Sequence, residues 1–255
     1  LPSLTARYEF KYLITDEQEA WIRQMTKMYC GPDPYGVDGT YNISSLYFDT
    51  WDWDLAMQTV EGVRNRYKLR IRTYGFTEID PVFLEDKSRV GTSILKQRAL
   101  VDRKFVEAVC RGELPVDECF RALKVDHTDD MNRFRNTMDL VDLRPRLWVA
   151  YQREAYGSIY GDGARLTFDR QLRVQSPDVD HPYVPDDAAW QSVVLDGPQT
   201  ILEMKFNGAF PFWMQRIVHG LRLNRVSCSK YVQGAEQLGD VPWNRVEWRG
   251  GWTLY

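Results

Sequence analysis

The sequence predicts an α+β protein in which strands close into a barrel, with helices packed outside and charged side chains lining a channel. Three observations lead there. Residues 66–72 read Arg66-Tyr67-Lys68-Leu69-Arg70-Ile71-Arg72. Successive side chains of a strand point to opposite faces, so Arg66, Lys68, Arg70 and Arg72 share one face while Tyr67, Leu69 and Ile71 share the other. The same sorting recurs in residues 6–14, 82–89, 94–101, 165–169 and 201–206. Yet the chain is not basic: 33 Lys+Arg stand against 36 Asp+Glu, for a formal charge of −3. Its cations are gathered in particular places, as a site for a polyanion requires.

In chain order, residues 6–14 place Tyr8, Phe10 and Tyr12 on one strand face and Arg7, Glu9 and Lys11 on the other. Thr15 caps a helix reaching about Met28, and Gly31-Pro32-Asp33-Pro34 breaks it. Residues 41–49 form a β-rich run and 51–60 a short helix. In 82–89, Phe83, Glu85, Lys87 and Arg89 share a face; Gly91 breaks the run, and 94–101 follows with Lys96 and Arg98 two apart. Residues 102–111 and 116–136 have helical composition. A long strand over 146–160 carries Arg153, and Gly161-Asp162-Gly163 turns the chain into 165–169, where Arg165, Thr167 and Asp169 alternate with Leu166 and Phe168. Residues 176–198 are a Pro- and Asp-rich loop with a short helix near Asp186. Glu203 and Lys205 then share a face of strand 201–206, and 211–221 is a helix with Pro at its start.

Hydrophobic content of 44% and aromatic content of 13% suffice for a packed core in a 255-residue chain. No apolar run reaches the ~18–20 residues that span a bilayer, and the first residues lack the regions of a signal peptide. The missing initiator Met points to a trimmed chain. Cys30, Cys110, Cys119 and Cys228 form no Cys-x-x-Cys pair and read as thiols of a reducing, cytoplasmic compartment. His127, His181 and His219 form no ligand pattern.

A solvated sheet face would mix Thr, Ser, Gln and both charge signs more evenly than these strands do. Closing them into a barrel puts the charged faces around a channel, whose self-repulsion requires an anionic ligand and a metal. Nucleic acid is disfavoured, because the aromatics lie on the faces opposite the charges and leave little on which bases stack.

These residues resemble a known family. Arg7-x-Glu9-x-Lys11-Tyr12, Ser45-Leu46-Tyr47-Phe48-Asp49, Lys68-Leu69-Arg70-Ile71-Arg72, Leu84-Glu85-Asp86-Lys87 and Leu95-Lys96-Gln97-Arg98 come first. Tyr151-Gln152-Arg153, Arg165-Leu166-Thr167-Phe168-Asp169, Leu202-Glu203-Met204-Lys205 and Ser229-Lys230-Tyr231 follow. In that order they resemble the polyphosphate-polymerase domain of the vacuolar transporter chaperone (VTC) type, in the CYTH-like triphosphate tunnel metalloenzyme superfamily. The resemblance implies an antiparallel β-barrel tunnel over residues 1–238, followed by a tail, 239–255. It implies phosphate binding by Lys11, Arg70, Arg72, Lys87, Lys96, Arg153, Arg165 and Lys230; Arg98 and Lys205 join them on face geometry. It implies that Glu203 ligates Mn²⁺ or Mg²⁺. Glu9 and Glu85 are either further metal ligands or charge compensation. The hydrolytic branch carries Glu-x-Glu-x-Lys on its first strand, and Arg7 here replaces the first Glu, which favours the polymerase branch.

Three functions follow as expectations. One is transfer of the ATP γ-phosphoryl group to a growing polyphosphate chain, with Lys11, Arg70, Arg72, Arg153 and Arg165 at the reacting phosphates. Another is a triphosphatase or polyphosphatase, favoured by the retained Glu9. The third is a non-catalytic module binding polyphosphate or inositol phosphate. A membrane partner for product export, with the chain at the cytoplasmic face, stays open. Three tail tryptophans, Trp243, Trp248 and Trp252, cover the core or dock a partner.

Overall fold

A computed structural model describes residues 7–75, 82–91, 93–113, 127–239 and 241–243. β1 (Arg7–Ile14) leads into α1 (Asp16–Thr26) through a capping box. The Gln18 amide donates to Thr15 Oγ1 at 3.3 Å and the Thr15 amide to Gln18 Oε1 at 3.0 Å. The Gly-Pro breaker contains a short strand, β2 (Cys30–Pro32). β3 (Thr40–Asp49), α2 (Asp54–Val60), β4 (Arg66–Tyr74), β5 (Val82–Val90) and β6 (Ser93–Val101) follow. A 3₁₀ turn leads to α3 (Val106–Arg111), then come α4 (Thr128–Leu140), β7 (Arg144–Ser158) and β8 (Arg165–Gln175). Of the helix expected over 116–136, residues 116–126 lie outside the described residues. The loop after β8 carries β9 (Gln191–Ser192). β10 (Thr200–Asn207), α5 (Phe212–Gly220) and α6 (Lys230–Leu238) complete the chain.

All the pairings are antiparallel, in the order β1-β10-β8-β7-β3-β4-β5-β6, with β2 added to β7 and β9 to β8. This is the α+β, antiparallel architecture the alternation predicts. Bulges curl the sheet: β7 shifts register against β3 at Tyr47/Phe48 and against β8 at Ala150/Gln152. Among the described residues, β1 and β6 share no ladder. The free edge of β1 is covered instead by a returning segment, whose Val226 amide donates to the Lys11 carbonyl at 2.8 Å. Side chains close the remaining seam, with Lys68 donating to Ser229 Oγ at 2.9 Å and Lys87 3.8 Å from Glu9.

The convex face is apolar and covered by helices. Leu46, Phe48, Leu69, Ile71 and Leu84 pack under Val106 and Val109 of α3 and Met131 and Phe134 of α4. Tyr12, Phe168, Leu202 and Met204 pack under Ile22 of α1 and Trp213, Met214 and Ile217 of α5. A charged seam also docks α1: Arg23 and Arg170 each bind both Glu19 and Glu154.

The concave face divides in two. Its half at the Tyr47, Leu147 and Val174 end is apolar and filled by α6, with α2 packed beside it. Tyr231 stacks on Tyr47 with ring centroids 4.6 Å apart. Gly234 allows the close approach, since a Cβ there would lie 2.7 Å from Val174 Cγ1 and 3.1 Å from Leu147 Cδ2. Asp49 anchors α2 and α6 together: it accepts from the Leu55 and Ala56 amides at 2.9 and 3.0 Å and from the Tyr231 hydroxyl.

Candidate active site on the concave face

The other half of the concave face is where β-strand parity delivers the charges. In the β1–β10–β8 ladders Lys11 faces Glu203 and Glu203 faces Thr167, while Glu9 faces Lys205 and Lys205 faces Arg165. In β4–β5–β6 the rows read Arg70-Glu85-Arg98 and Lys68-Lys87-Lys96. β7 contributes Arg153, paired with Asp169 of β8. The curl folds these two sets toward each other.

Glu203 is the hub. Its Oε1 lies 2.9 Å from Lys230 Nζ and 3.6 Å from Lys11 Nζ, and its Oε2 lies 3.1 Å from Lys205 Nζ and 3.2 Å from Arg153 Nη2. Asp169, beside it, takes a two-pronged Arg153 guanidinium at 2.6 Å and the Lys230 ammonium at 2.6 Å. Burial alone would raise both carboxyls, but Lys230, Lys205, Lys11 and Arg153 around Glu203, and Arg153 and Lys230 around Asp169, outweigh it and hold both below the usual range.

Glu85 is wholly buried and is a second hub. Arg70 Nε donates to it at 2.7 Å and Arg98 Nε at 2.8 Å; Lys96 Nζ lies 2.9 Å away and Arg72 at 3.8 Å. Arg70 also donates to Tyr47 Oη at 2.9 Å and Arg72 to Ser45 Oγ at 3.2 Å. Glu9 is the most open of the carboxylates, 3.4 Å from Lys11 and 3.8 Å from both Lys87 and Lys205. Its burial, which raises the carboxyl, is likewise overcome by Lys11, Lys205 and Lys87.

Of the sequence-predicted site residues, Lys11, Lys87, Lys205, Lys230, Arg153, Glu9 and Glu203 form one connected cluster, and Arg70, Arg72, Lys96, Arg98 and Glu85 form the other. Arg165 stands apart at the rim opposite α6, where it pairs with Asp33 and donates to Tyr41 Oη at 2.9 Å. Three residues not assigned to the site from sequence belong here. Asp169 alternates in phase with Arg165, and that parity was its signal. Lys68 was visible on the β4 face. Asp33 left no signal, because its position depends on β2 pairing with β7.

The donor set suits a hard divalent ion only in part. Among the described residues, no three His, Cys, Asp or Glu side chains converge on one point. Glu203 and Glu9 share Lys11 and Lys205 as neighbours, and Thr167, cross-strand from Glu203, has a buried hydroxyl that makes no hydrogen bond. One or two carboxylates with an unused oxygen donor fit an ion that takes its other ligands from phosphate and water.

The fold and the face together define a curled antiparallel sheet whose concave side gathers Lys and Arg side chains around buried carboxylates. The chain belongs to the VTC domain family, whose profile matches residues 6–239. It is 24% identical over 233 residues to vacuolar transporter chaperone complex subunit 4 of Schizosaccharomyces pombe, covering 77% of this chain and 32% of that protein. The chain thus spans about a third of the length of that relative. Among solved structures it is similar to a Pyrococcus horikoshii OT3 protein, with TM-score 0.47, 14% identity and coverage of 91% of this chain and 99% of that one. It is also similar to a protein described as a putative adenylyl cyclase from Hippeastrum with a dominant triphosphatase activity, with TM-score 0.45, 14% identity and coverage of 90% and 95%. Among the described residues, no helix is long and apolar enough to cross a membrane.

Proposed function

We propose that this chain is a polyphosphate polymerase domain that transfers the γ-phosphoryl group of ATP to the end of an inorganic polyphosphate chain. The observation that carries the reading is the Glu203 hub, four cations gathered on one buried carboxylate within a concave face that holds many more cations than carboxylates. Membership in the VTC domain family and the subunit 4 relative support it.

Phosphoryl transfer needs alignment and neutralisation of charge more than it needs a covalent nucleophile. Arg70, Arg72 and Arg153 would turn guanidinium N–H groups from their present carboxylate and hydroxyl partners to phosphate oxygens. Lys205 and Lys230, hydrogen-bonded to Glu203, and Lys11, 3.6 Å from it, would turn toward the incoming phosphates. Glu203, with Glu9 and the Thr167 hydroxyl, would hold Mn²⁺ or Mg²⁺, which would supply charge neutralisation to the bound phosphates. Glu85, enclosed by Arg70, Arg98 and Lys96, holds those cations together when no phosphate is bound. In the reaction the bond from the β–γ bridging oxygen to the γ-phosphorus breaks, a terminal chain oxygen bonds to that phosphorus, and ADP leaves. The acceptor oxygen is already ionised, so no side chain must act as general base.

The retained Glu9 favours a second reading, in which water is the acceptor and the domain is a triphosphatase. Incubation with ATP and Mn²⁺, with and without a short polyphosphate primer, separates the two. Chains stained on a gel, formed with ADP and absent for Glu203→Gln, support the polymerase. Orthophosphate without chains supports the hydrolase. Polyphosphate binding with neither product leaves a silent binding module.

A further inference from the structure

The apolar convex face is interrupted between α1 and the β7–β8 ladder, where Glu19 and Arg23 meet Glu154 and Arg170. Arg23 donates to Glu154 at 2.8 Å from Nε and 3.0 Å from Nη2, and also to Glu19. Arg170 donates to Glu19 at 2.8 and 2.5 Å and to Glu154 at 2.5 Å. The Thr200 hydroxyl donates to Glu19 at 2.9 Å and the Tyr156 hydroxyl to Glu154 at 2.5 Å. Both guanidiniums lie over the Phe168 ring, at 5.7 and 5.4 Å. Glu19 and Glu154 are buried, so these charges have been taken out of water. An ionic network of this kind is a weak source of stability, since apolar side chains of similar volume do as well or better. What it can supply is a single arrangement, because each donor is matched to a particular acceptor.

Behind this network, on the other side of the sheet, lies the Glu203 hub. Side chains alternate along a strand, so Arg153 precedes Glu154 on the concave side and Asp169 precedes Arg170. Arg153 stands directly opposite Asp169 in the β7–β8 ladder, with Gln152 opposite Arg170 and Glu154 opposite Phe168. The ladder is irregular immediately beyond: its register shifts between Ala150 and Gln152, and Gln171 takes φ 52°. A slip of one residue turns every side chain of a strand to the other face. Here it would carry Asp169 away from Arg153 and Lys230 and put Arg170 in its place. The network opposes that slip, because Phe168 and Arg170 are gripped from α1 on either side of Asp169.

We propose that Glu154 and Arg170, held by Glu19 and Arg23 of α1, are positioning residues for the concave face: they fix the β7–β8 register beside the bulge and so hold Arg153 and Asp169 against Glu203. α1 then braces the site from the opposite side of the sheet. That the guanidinium so held receives phosphate rests on the function proposed above; the positioning itself does not.

The test reads Arg153 directly. Its Nε–H donates to Asp169 at 2.6 Å, and its ¹H–¹⁵N resonance in the full chain, assigned by its loss in Arg153→Lys, reports exchange with water. Exchange should be about tenfold faster or more in Arg170→Met, and within about threefold of wild type in the conservative Arg170→Lys. Arg23→Met leaves Arg170 in place; it should show a smaller change of the same sign, and it carries the test if Arg170→Met does not fold. Met131→Ala loosens the other half of the convex face, under α4. Compared at equal distance from the urea midpoint, it should leave Arg153 exchange within about twofold of wild type. Tripolyphosphate affinity, measured calorimetrically, should fall by about tenfold in Arg170→Met and recover in Arg170→Lys. Wild-type exchange in Arg170→Met, or in Arg23→Met if only that variant folds, would overturn the proposal. So would an equal rise in Met131→Ala. Exchange that behaves as expected in a chain whose wild type binds no tripolyphosphate would contradict the polyphosphate reading alone.

Discussion

Lys230, the first residue of α6, donates to Glu203 of β10 at 2.9 Å and lies 2.6 Å from Asp169 of β8. The helix that fills one end of the concave face is therefore fastened by its N-terminal residue to the two carboxylates at the centre. Lys230→Met removes the shared cation while keeping the length of the side chain. Breaking a buried ion pair in this way should lower stability by about 3–5 kcal/mol, read as a shift in the urea midpoint. An unchanged midpoint would mean that the hub holds together without Lys230.

Gly234 lies directly against Val174 and Leu147 of the sheet. Replacing it with Ala should gain about 1 kcal/mol of helix propensity, against about 1–3 kcal/mol for overpacking Val174 and Leu147. The clash should win, leaving Gly234→Ala less stable by up to about 2 kcal/mol. Val174→Ala in the same chain should return most of that loss in a double-mutant cycle. A stabilised Gly234→Ala would show that α6 does not press on the sheet at this point.

Lys68 should make stability pH-dependent in a definite direction. Its folded-state value is depressed by burial and by neighbouring cations, so the unfolded chain binds this proton more tightly than the folded one. Its contribution therefore improves as pH rises from the depressed folded value toward the ordinary lysine value of about 10.4. Compared with wild type, Lys68→Met should be more stable at neutral pH, and the gap should narrow on going to alkaline pH. Parallel stability curves at neutral and alkaline pH would contradict this.

Asp33 pairs with Arg165, and on the proposed function it would compete with phosphate for that guanidinium. The guanidinium is partly exposed, so the pair is worth about 0.2–1 kcal/mol. Asp33→Asn should free Arg165 and tighten tripolyphosphate binding by about 1.4- to 5-fold by the same arithmetic, measured calorimetrically at fixed ionic strength. Weaker binding would show that Asp33 positions Arg165 for phosphate.

Period-2 alternation made the strands and the inward-facing residues legible. Arg70 with Arg72 and Glu203 with Lys205 reach the concave side as the sequence says. Three things were hidden, each for a physical reason. Parity changes at Gln171, which takes φ 52° beside the β7 register shift, so Leu172 and Val174 join Asp169 on the concave side and the alternation ends at 169. α6 is short and has Gly at its centre, so helix propensity does not announce it; its presence follows from close packing on Leu147 and Val174. Closure of the seam depends on Lys68 meeting Ser229, 161 positions away in sequence, and on Val226 pairing with Lys11, contacts between segments far apart in sequence. The buried Trp243 donates to Glu236 at 3.1 Å and so covers part of the core, while Trp248 and Trp252 lie outside the described residues.

The most direct measurement is ³¹P NMR of the purified chain turning over ATP with Mg²⁺ and a short polyphosphate primer. The expected result is growth of the internal-chain phosphate resonance in step with ADP, with the gain abolished by Glu203→Gln. Loss of the ATP γ resonance into orthophosphate alone would contradict transfer to a phosphate acceptor.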